Sequence, residues 1–148
     1  MLARSHRLLT TAFALGLLTA SLFATTGCGT VGADRLDGTS WRLAGWSISA
    51  IDPTEFTITL GFDGETAAGQ SAVNSYGGNY SEGRGGKLEL GEIASTLMAG
   101  PEPAMNAEAA YFELLGRVGS YAMEGSTLTL RDSNGNDLLI FEAQSAVP

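Results

Sequence analysis

The side chain with the most distinctive chemistry in this sequence is Cys28, the only cysteine among 148 residues. The first seven residues include two arginines and a histidine but no acid, and residues 8–24 are apolar apart from threonine and serine. This order is typical of a secretory signal. Cleavage before Cys28 would leave its thiol at a new N-terminus, where a diacylglyceryl group can attach as a thioether. We therefore predict a lipoprotein signal peptide over residues 1–27 and lipidation at Cys28.

Two alternatives for this segment stay open. Thr25 stands three places before the cysteine, where lipoproteins usually have leucine, so an ordinary cleavage site could precede the cysteine instead. The apolar run could also remain as an uncut anchor, although it is near the lower limit of about 17 residues for a membrane span. Acyl chains would hold the domain without a helix, since each buried CH₂ contributes about 0.8 kcal/mol. The prediction is an exported protein, lipid-anchored to the cell membrane or the outer membrane and facing outside the cytoplasm.

The mature chain predicted in this way has no histidine and no free thiol, because the single histidine, His6, leaves with the signal and Cys28 is modified. Zinc sites built from histidine or cysteine are therefore excluded. Ser-His-Asp and Cys-His catalysis are excluded for the same reason. We predict that the protein is not an enzyme and binds no metal or cofactor.

The mature chain is also acidic, with all 16 acids against six of the eight bases, a formal net charge of −10. Nucleic-acid binding depends on Lys and Arg side chains that neutralise phosphates, and an anionic membrane surface repels an acidic domain. The charge therefore argues against nucleic acid as a partner and leaves the lipid as the attachment to a membrane. It favours a monomer whose partner is another envelope protein or a small ligand.

Three further motifs suggest chemistry that their spacing does not support. Residues 132–137 alternate oxygen ligands, but an EF-hand needs a glycine and a glutamate that are missing here, so a hairpin turn is favoured over calcium. Residues 83–87 suggest a phosphate-binding loop, but Ser81 and Leu88 replace its glycine and its hydroxyl residue. Paired carboxylates could act on glycosides, but helical spacing predicts a solvated helix surface for Glu102, Glu108 and Glu113.

Aromatic side chains could line a groove for a sugar or a lipid, although those of a small β domain more often fill its core. The five considered are Trp41, Trp46, Tyr76, Tyr80 and Tyr111. Trp46 and Tyr76 are the two candidates for a ligand groove.

These residues must be positioned mainly by β-strands. The clearest strand covers residues 55–62, where four apolar side chains alternate with threonine and glycine. Asp63-Gly64 predicts a tight turn, after which residues 65–72 return as the partner strand. The remaining predicted strands are 79–81, 87–93, 96–98 and three alternating segments around Met123, Leu130 and Leu139.

One helix is predicted over residues 107–118, between a cap at Asn106 and a stop at Gly119, because its apolar residues recur at helical spacing. Pro101 and Pro103 are expected to lie outside it. Asn134-Gly135 predicts a two-residue hairpin later in the chain. The sum is a mainly β, α+β domain with an antiparallel sheet and one helix.

From Leu36 onward the chain resembles the META domain family, which includes HslJ-type bacterial envelope proteins. The likeness rests on residues 36–43 (LDGTSWRL), 74–80 (NSYGGNY) and 94–99 (ASTLMA), and on the helix capped by Asn106. The resemblance implies a partly open, barrel-like antiparallel sheet with the helix packed against it. It also implies structural roles for the recurrent residues Trp41, Asn74, Tyr76, Gly78, Tyr80, Thr96 and Met98.

The chain departs from the resembled family at two positions together. The family often has one cysteine just before the Asn of its Asn-x-Tyr segment and another just after its Met-x pair, where this chain has Val73 and Gly100. Losing both cysteines removes a link worth about 2 to 4 kcal/mol without leaving a loose thiol. We hypothesise that Val73 is buried close to Gly100 and offsets part of that loss by apolar contact.

Small residues predict a short tether over residues 28–37. It is followed by the META-like domain over 38–143 and a tail over 144–148. The resemblance implies an association with envelope stress rather than a reaction. The expected function is that of a non-catalytic, lipid-anchored envelope protein that binds another component or supports envelope integrity. Two alternatives stay open: a carrier of a small apolar or acyl ligand, and an interaction or inhibitor module that docks through residues 82–86 or 100–105.

Overall fold

The computed structural model describes residues 36–48 and 50–144. Its elements are β1 (Thr39–Trp46), a 3₁₀ turn (Pro53–Glu55), β2 (Thr59–Asp63), β3 (Thr66–Gln70), β4 (Ser75–Gly83), β5 (Lys87–Leu90), β6 (Ala94–Ser95), α1 (Glu102–Leu115), β7 (Ser120–Glu124), β8 (Thr127–Arg131) and β9 (Asp137–Ala143). The predicted signal peptide, Cys28 and residues 145–148 lie outside the described residues. No helix in the described part of the chain has the length and apolar character needed to span a bilayer.

The strands form one antiparallel sheet that closes on itself. Their order is β3-β2-β1-β9-β8-β7-β5-β4, and β4 pairs back to β3 through five residue pairs, so eight strands make a ring. β6 adds to β4 beside β5. The junction of β5 with β7 is the shortest, with one paired position, Lys87 opposite Ser120. The predicted antiparallel, barrel-like sheet with one helix is confirmed, but the ring is closed rather than partly open.

The interior of the barrel is filled by side chains of its own strands. Alternation buries Leu60 and Phe62 on β2 and Leu128 and Leu130 on β8. Each fully buried side chain of this size contributes about 2 kcal/mol relative to an exposed one, and a ring of eight strands is narrow enough for side chains to fill. The barrel therefore has a protein core.

β4 is much longer than the predicted strand at residues 79–81, because it begins at Ser75. Glycines at 77 and 78 weaken any strand signal in the sequence. Gly78 is required by a close approach: a Cβ there would lie 2.5 Å from the carbonyl oxygen of Glu92. The chain that leads into β6 can therefore cross β4 only over a residue without a side chain.

The helix prediction is confirmed in type and wrong at both ends. α1 begins at Glu102 with Pro103 in its first turn, where a missing N–H costs no intrahelical bond. Asn106 consequently lies inside the helix and caps nothing. The helix ends at Leu115, and Gly116, rather than Gly119, is its C-terminal cap.

Two other local predictions are corrected. β2 starts at Thr59 because residues 53–55 form a 3₁₀ turn capped by Asp52, and the short strand expected at 96–98 lies at Ala94–Ser95. The Asn134-Gly135 turn is longer than a two-residue hairpin, since Arg131 pairs with Asp137 and leaves residues 132–136 in the loop.

Candidate functional site

The two predicted ligand-groove residues both have partners within the chain. Trp46, at the end of β1, is half-buried, and its indole N–H donates to the carbonyl oxygen of Ile51 at 2.9 Å. Tyr76, on β4, is 5% exposed. In the ring their strands are separated by β2 and β3. Whether either residue contacts a ligand stays a prediction.

Tyr76 and Tyr111 join β4 to the helix through a buried pair of hydroxyl groups. The Tyr76 hydroxyl donates to the carbonyl oxygen of Thr59 at 2.8 Å. Its oxygen therefore accepts a hydrogen bond from the Tyr111 hydroxyl, with 2.5 Å between the two oxygens. The Phe112 ring meets that of Tyr76 edge-on at 5.5 Å. Burial raises the pKa of both tyrosines above the ordinary value. Both phenols therefore stay neutral and hold the helix in place.

Trp41 and Tyr80, two further motif residues, pack in the core. Trp41 is buried, and its indole N–H donates to the Thr39 hydroxyl at 2.7 Å. Tyr80 is buried with its ring edge-on to Phe62 at 4.8 Å. Met98, to which the resemblance also assigns a structural role, is 57% exposed, and the structural roles of the motif residues stay a prediction.

A buried carboxylate lies where the helix meets the turn between β3 and β4. Glu108 is 7% exposed, and its Oε2 accepts from the Ser71 hydroxyl at 2.7 Å and from the Asn74 backbone N–H at 2.8 Å. The backbone N–H of Val73 is a third donor to Oε2, at 3.3 Å, and Oε1 accepts from Asn74 Nδ2 at 2.8 Å. We call Glu108, Ser71 and Asn74 the Glu108 cluster.

The Glu108 cluster favours the ionised carboxylate. Burial raises the pKa of Glu108, but the hydrogen bonds from Ser71, Asn74 and Val73 together outweigh it and lower the pKa below its usual value. A charged acceptor makes each of these bonds stronger than a neutral one would be. Every partner belongs to the chain itself, so the carboxylate is used to organise the turn.

The side chain of Asn74 also connects the Glu108 cluster to a surface loop by hydrogen bonds. Its Oδ1 accepts from the Thr96 hydroxyl and from the Met98 backbone N–H, each at 2.7 Å, and its Nδ2 also donates to the Met98 carbonyl at 3.2 Å. With the bond from Nδ2 to Glu108, these bonds use all donor and acceptor positions of the amide, three of them on the residues that follow β6. We call residues 96–100 the Leu97 loop.

The Leu97 loop presents apolar side chains to solvent. Leu97 is 96% exposed and Met98 is 57% exposed, while Ile140 on β9, at 36%, is the remaining large exposed hydrophobic residue among those described. The far end of the loop contacts Val73, since a Cβ on Gly100 would lie 3.5 Å from the Cβ of Val73. The hypothesis that these positions are close is confirmed, although Val73 is half-buried rather than buried.

The Glu108 cluster was not predicted from the sequence. A solvated helix surface was the wrong interpretation of Glu108, because helical spacing puts this residue on the same face as Tyr111 and Leu115, which are buried. That spacing was the available signal. Glu102 and Glu113 are exposed as predicted.

The residues that suggested calcium organise their own loop. Asp132 accepts from the backbone N–H groups of Asn134 and Asn136 at 2.9 Å each, and from the Asn136 side chain. The hydrogen bonds from Asn136 are the main cause of a lowered pKa at Asp132. Among the described residues, no three acidic, histidine or cysteine side chains are grouped to hold a metal.

Comparison with known proteins assigns the family. Residues 34–145 match the META domain. The chain belongs to the META domain family. An NMR structure of a protein from Burkholderia xenovorans is similar to this META domain, with a TM-score of 0.61 and 31% identity over 75% of this chain and 85% of that chain.

Two more distant structures share the fold of this META domain. One is an NMR structure with a TM-score of 0.54 and 16% identity, covering 72% of this chain and 90% of that one. The other is a crystal structure of a DUF4847 family protein from Bacteroides vulgatus, with a TM-score of 0.54 and 11% identity over 76% and 96% of the two chains. No curated protein matches the chain.

Proposed function

We propose that this META domain protein is a non-catalytic, lipid-anchored protein of the bacterial envelope that acts by binding another envelope protein. The observation that carries the proposal is the exposed pair Leu97 and Met98 on a loop whose backbone is held by Asn74. Exposed apolar groups are typical of interaction sites. A loop that is already ordered loses little conformational entropy when a partner binds it.

The anchor is supported by the sequence around Cys28. A basic start, an apolar run and a single cysteine followed by an acidic domain are the features of an exported lipoprotein. Mass spectrometry of the N-terminal peptide of the native protein tests this part of the proposal. We expect a peptide that begins at Cys28 and carries acyl chains, and an unmodified thiol or an uncut leader would contradict it.

The absence of catalysis is supported by how the buried polar groups are used. Glu108 is hydrogen-bonded to its own chain, and the raised pKa values of Tyr76 and Tyr111 keep both phenols protonated, so neither is available as a base at neutral pH. A hydrolase panel with the purified mature protein tests this directly. Turnover that is lost on mutation of one carboxylate would contradict the proposal.

The alternative of a carrier needs an apolar space inside the barrel. That interior holds buried side chains, among them Leu60, Phe62, Leu128 and Leu130. Binding at the outer surface is therefore favoured over enclosure of a small ligand.

Photo-crosslinking in the native host tests the binding surface. Benzoylphenylalanine is placed at Leu97 in one strain and at Ile140 in a control strain, so that both probes occupy exposed apolar positions. We expect a discrete protein adduct from position 97 that is absent from position 140. The adduct should weaken when Asn74→Ala releases the loop, and identical adducts from both positions would contradict a specific surface.

A further inference from the structure

One edge of the short strand β6 faces away from the barrel. In the register, Tyr76 opposes Ser95 and Gly77 opposes Ala94, and the Thr96 N–H donates to the Ser75 carbonyl. Hydrogen-bonded and non-hydrogen-bonded pairs alternate in an antiparallel ladder, so Ser95 is in a non-hydrogen-bonded pair. Its backbone N–H and C=O therefore point away from β4.

An apolar groove lies beside this edge. It has a volume of about 290 Å³ and is formed by β6, the chain that leads into it, and the C-terminal end of α1. The lining residues are Gly91, Ile93, Ser95, Phe112, Leu115 and Gly116. Strand backbone and apolar side chains thus meet in one place, which is the combination used when a sheet edge accepts an extended peptide.

The charge around the groove selects the partner. Residues 88–116 contain five glutamates and no lysine, arginine or histidine. The bases that flank this stretch are Lys87, which pairs with Glu89, and Arg117, whose charge acts on Asp132. Glu108 is bound in its cluster and Glu89 is paired with Lys87, but Glu92 and Glu113, which flank groove residues in the sequence, take part in neither salt bridge seen among the described residues. An incoming segment with basic side chains would neutralise them.

We propose that the β6 groove binds an extended segment of a partner protein in which apolar residues alternate with lysine or arginine. The segment pairs with the Ser95 backbone, and one apolar side chain enters between Ile93, Phe112 and Leu115. This inference rests on the proposed function, because it names the kind of polypeptide that the envelope partner offers. Leu97 and Met98, two and three residues beyond Ser95, then contact the same partner.

The test uses the mature full-length domain and the peptide acetyl-Lys-Leu-Lys-Leu-Lys-amide as the probe. Ser95→Pro removes the outward N–H without removing a bond to β4, and Ser95→Ala keeps that N–H as the matched control. Titration with the peptide, followed by NMR, should shift the amide resonances of position 95 and of Leu115 in the native protein and in Ser95→Ala. We expect roughly tenfold weaker binding to Ser95→Pro, as for the loss of one hydrogen bond.

Several outcomes overturn the inference. They are equal binding to both variants, equal binding of the Glu-Leu-Glu-Leu-Glu peptide, no binding to the native protein, and the same shifts produced by lauric acid instead of the peptide. If Ser95→Pro does not fold, hydrogen exchange of the Ser95 amide decides, since the bound peptide should slow it in the native protein. Crosslinking through position 97 combined with failure of the peptide would overturn strand addition alone and leave the proposed function standing.

Discussion

Glu108 and Asp132 each accept two backbone N–H groups, and they differ in how far along the chain their partners lie. Asp132 binds donors two and four residues ahead, within one loop. Glu108 binds donors 34, 35 and 37 residues away, between a helix and the turn before β4. Both pKa values are lowered. Hydrogen bonds from backbone N–H groups to a carboxylate thus shape a local turn at Asp132 and hold two distant elements together at Glu108.

The largest expected effect is on removal of the long-range carboxylate. Glu108→Ala leaves two N–H donors of Asn74 buried without an acceptor, while the Ser71 hydroxyl can still donate to the Asn74 carbonyl oxygen. We therefore expect the free energy of unfolding to fall by about 4 kcal/mol. Urea denaturation measures it. Glu113→Ala, on the same helix but exposed, is the matched control and should stay within about 0.5 kcal/mol. Equal losses of stability in Glu108→Ala and Glu113→Ala would contradict a stabilising role of the buried Glu108 carboxylate.

A covalent link between the turn before β4 and the end of the Leu97 loop should stabilise the domain. In Val73→Cys with Gly100→Cys the two Cβ atoms would lie about 3.5 Å apart, within the range for a disulfide. We expect a spontaneous bond in the exported protein and a gain of about 3 kcal/mol that a reductant reverses. Peptide mapping identifies the bond, and Val73→Cys alone is the control. Two persistently free thiols would show that the junction is more open than described.

Acid should weaken the long-range junction. Because its pKa is lowered in the folded state, Glu108 stabilises the domain above its unfolded pKa of about 4.3, and this contribution is lost as pH falls through the folded value. Unfolding measured from neutral pH to acid should show a smaller loss of stability in Glu108→Gln than in the native protein. The protection of the Met98 amide against hydrogen exchange, taken relative to the intrinsic exchange rate at each pH, should also fall in acid. Parallel pH profiles for the two proteins would contradict this role.

The smallest effect is expected at the local carboxylate. Asp132→Ala removes the acceptor of Asn134 and Asn136, so exchange of those two amides should accelerate, while the Met98 amide is unchanged. The loss of overall stability should be smaller than that of Glu108→Ala, because only one solvent-exposed loop is released. Hydrogen exchange followed residue by residue measures both regions. A change at Met98 would show that the two regions are coupled.

The sequence by itself determined the family, the antiparallel barrel-like sheet and its one helix. Alternation and helical spacing are local properties, and they sufficed for Phe62 in β2, Leu130 in β8 and Tyr111 in α1. Only the tertiary structure decided the length of β4, the burial of Glu108 and the exposure of Leu97. The glycine at 78 in β4 is set by Glu92 crossing it, and the burial of Glu108 depends on three donors from residues 71–74. The exposure of Leu97 depends on the Asn74 amide, which holds residues 22 and 24 positions later in the chain. Contacts between residues so far apart in the sequence form only when the sheet closes, so no short stretch of the sequence predicts them.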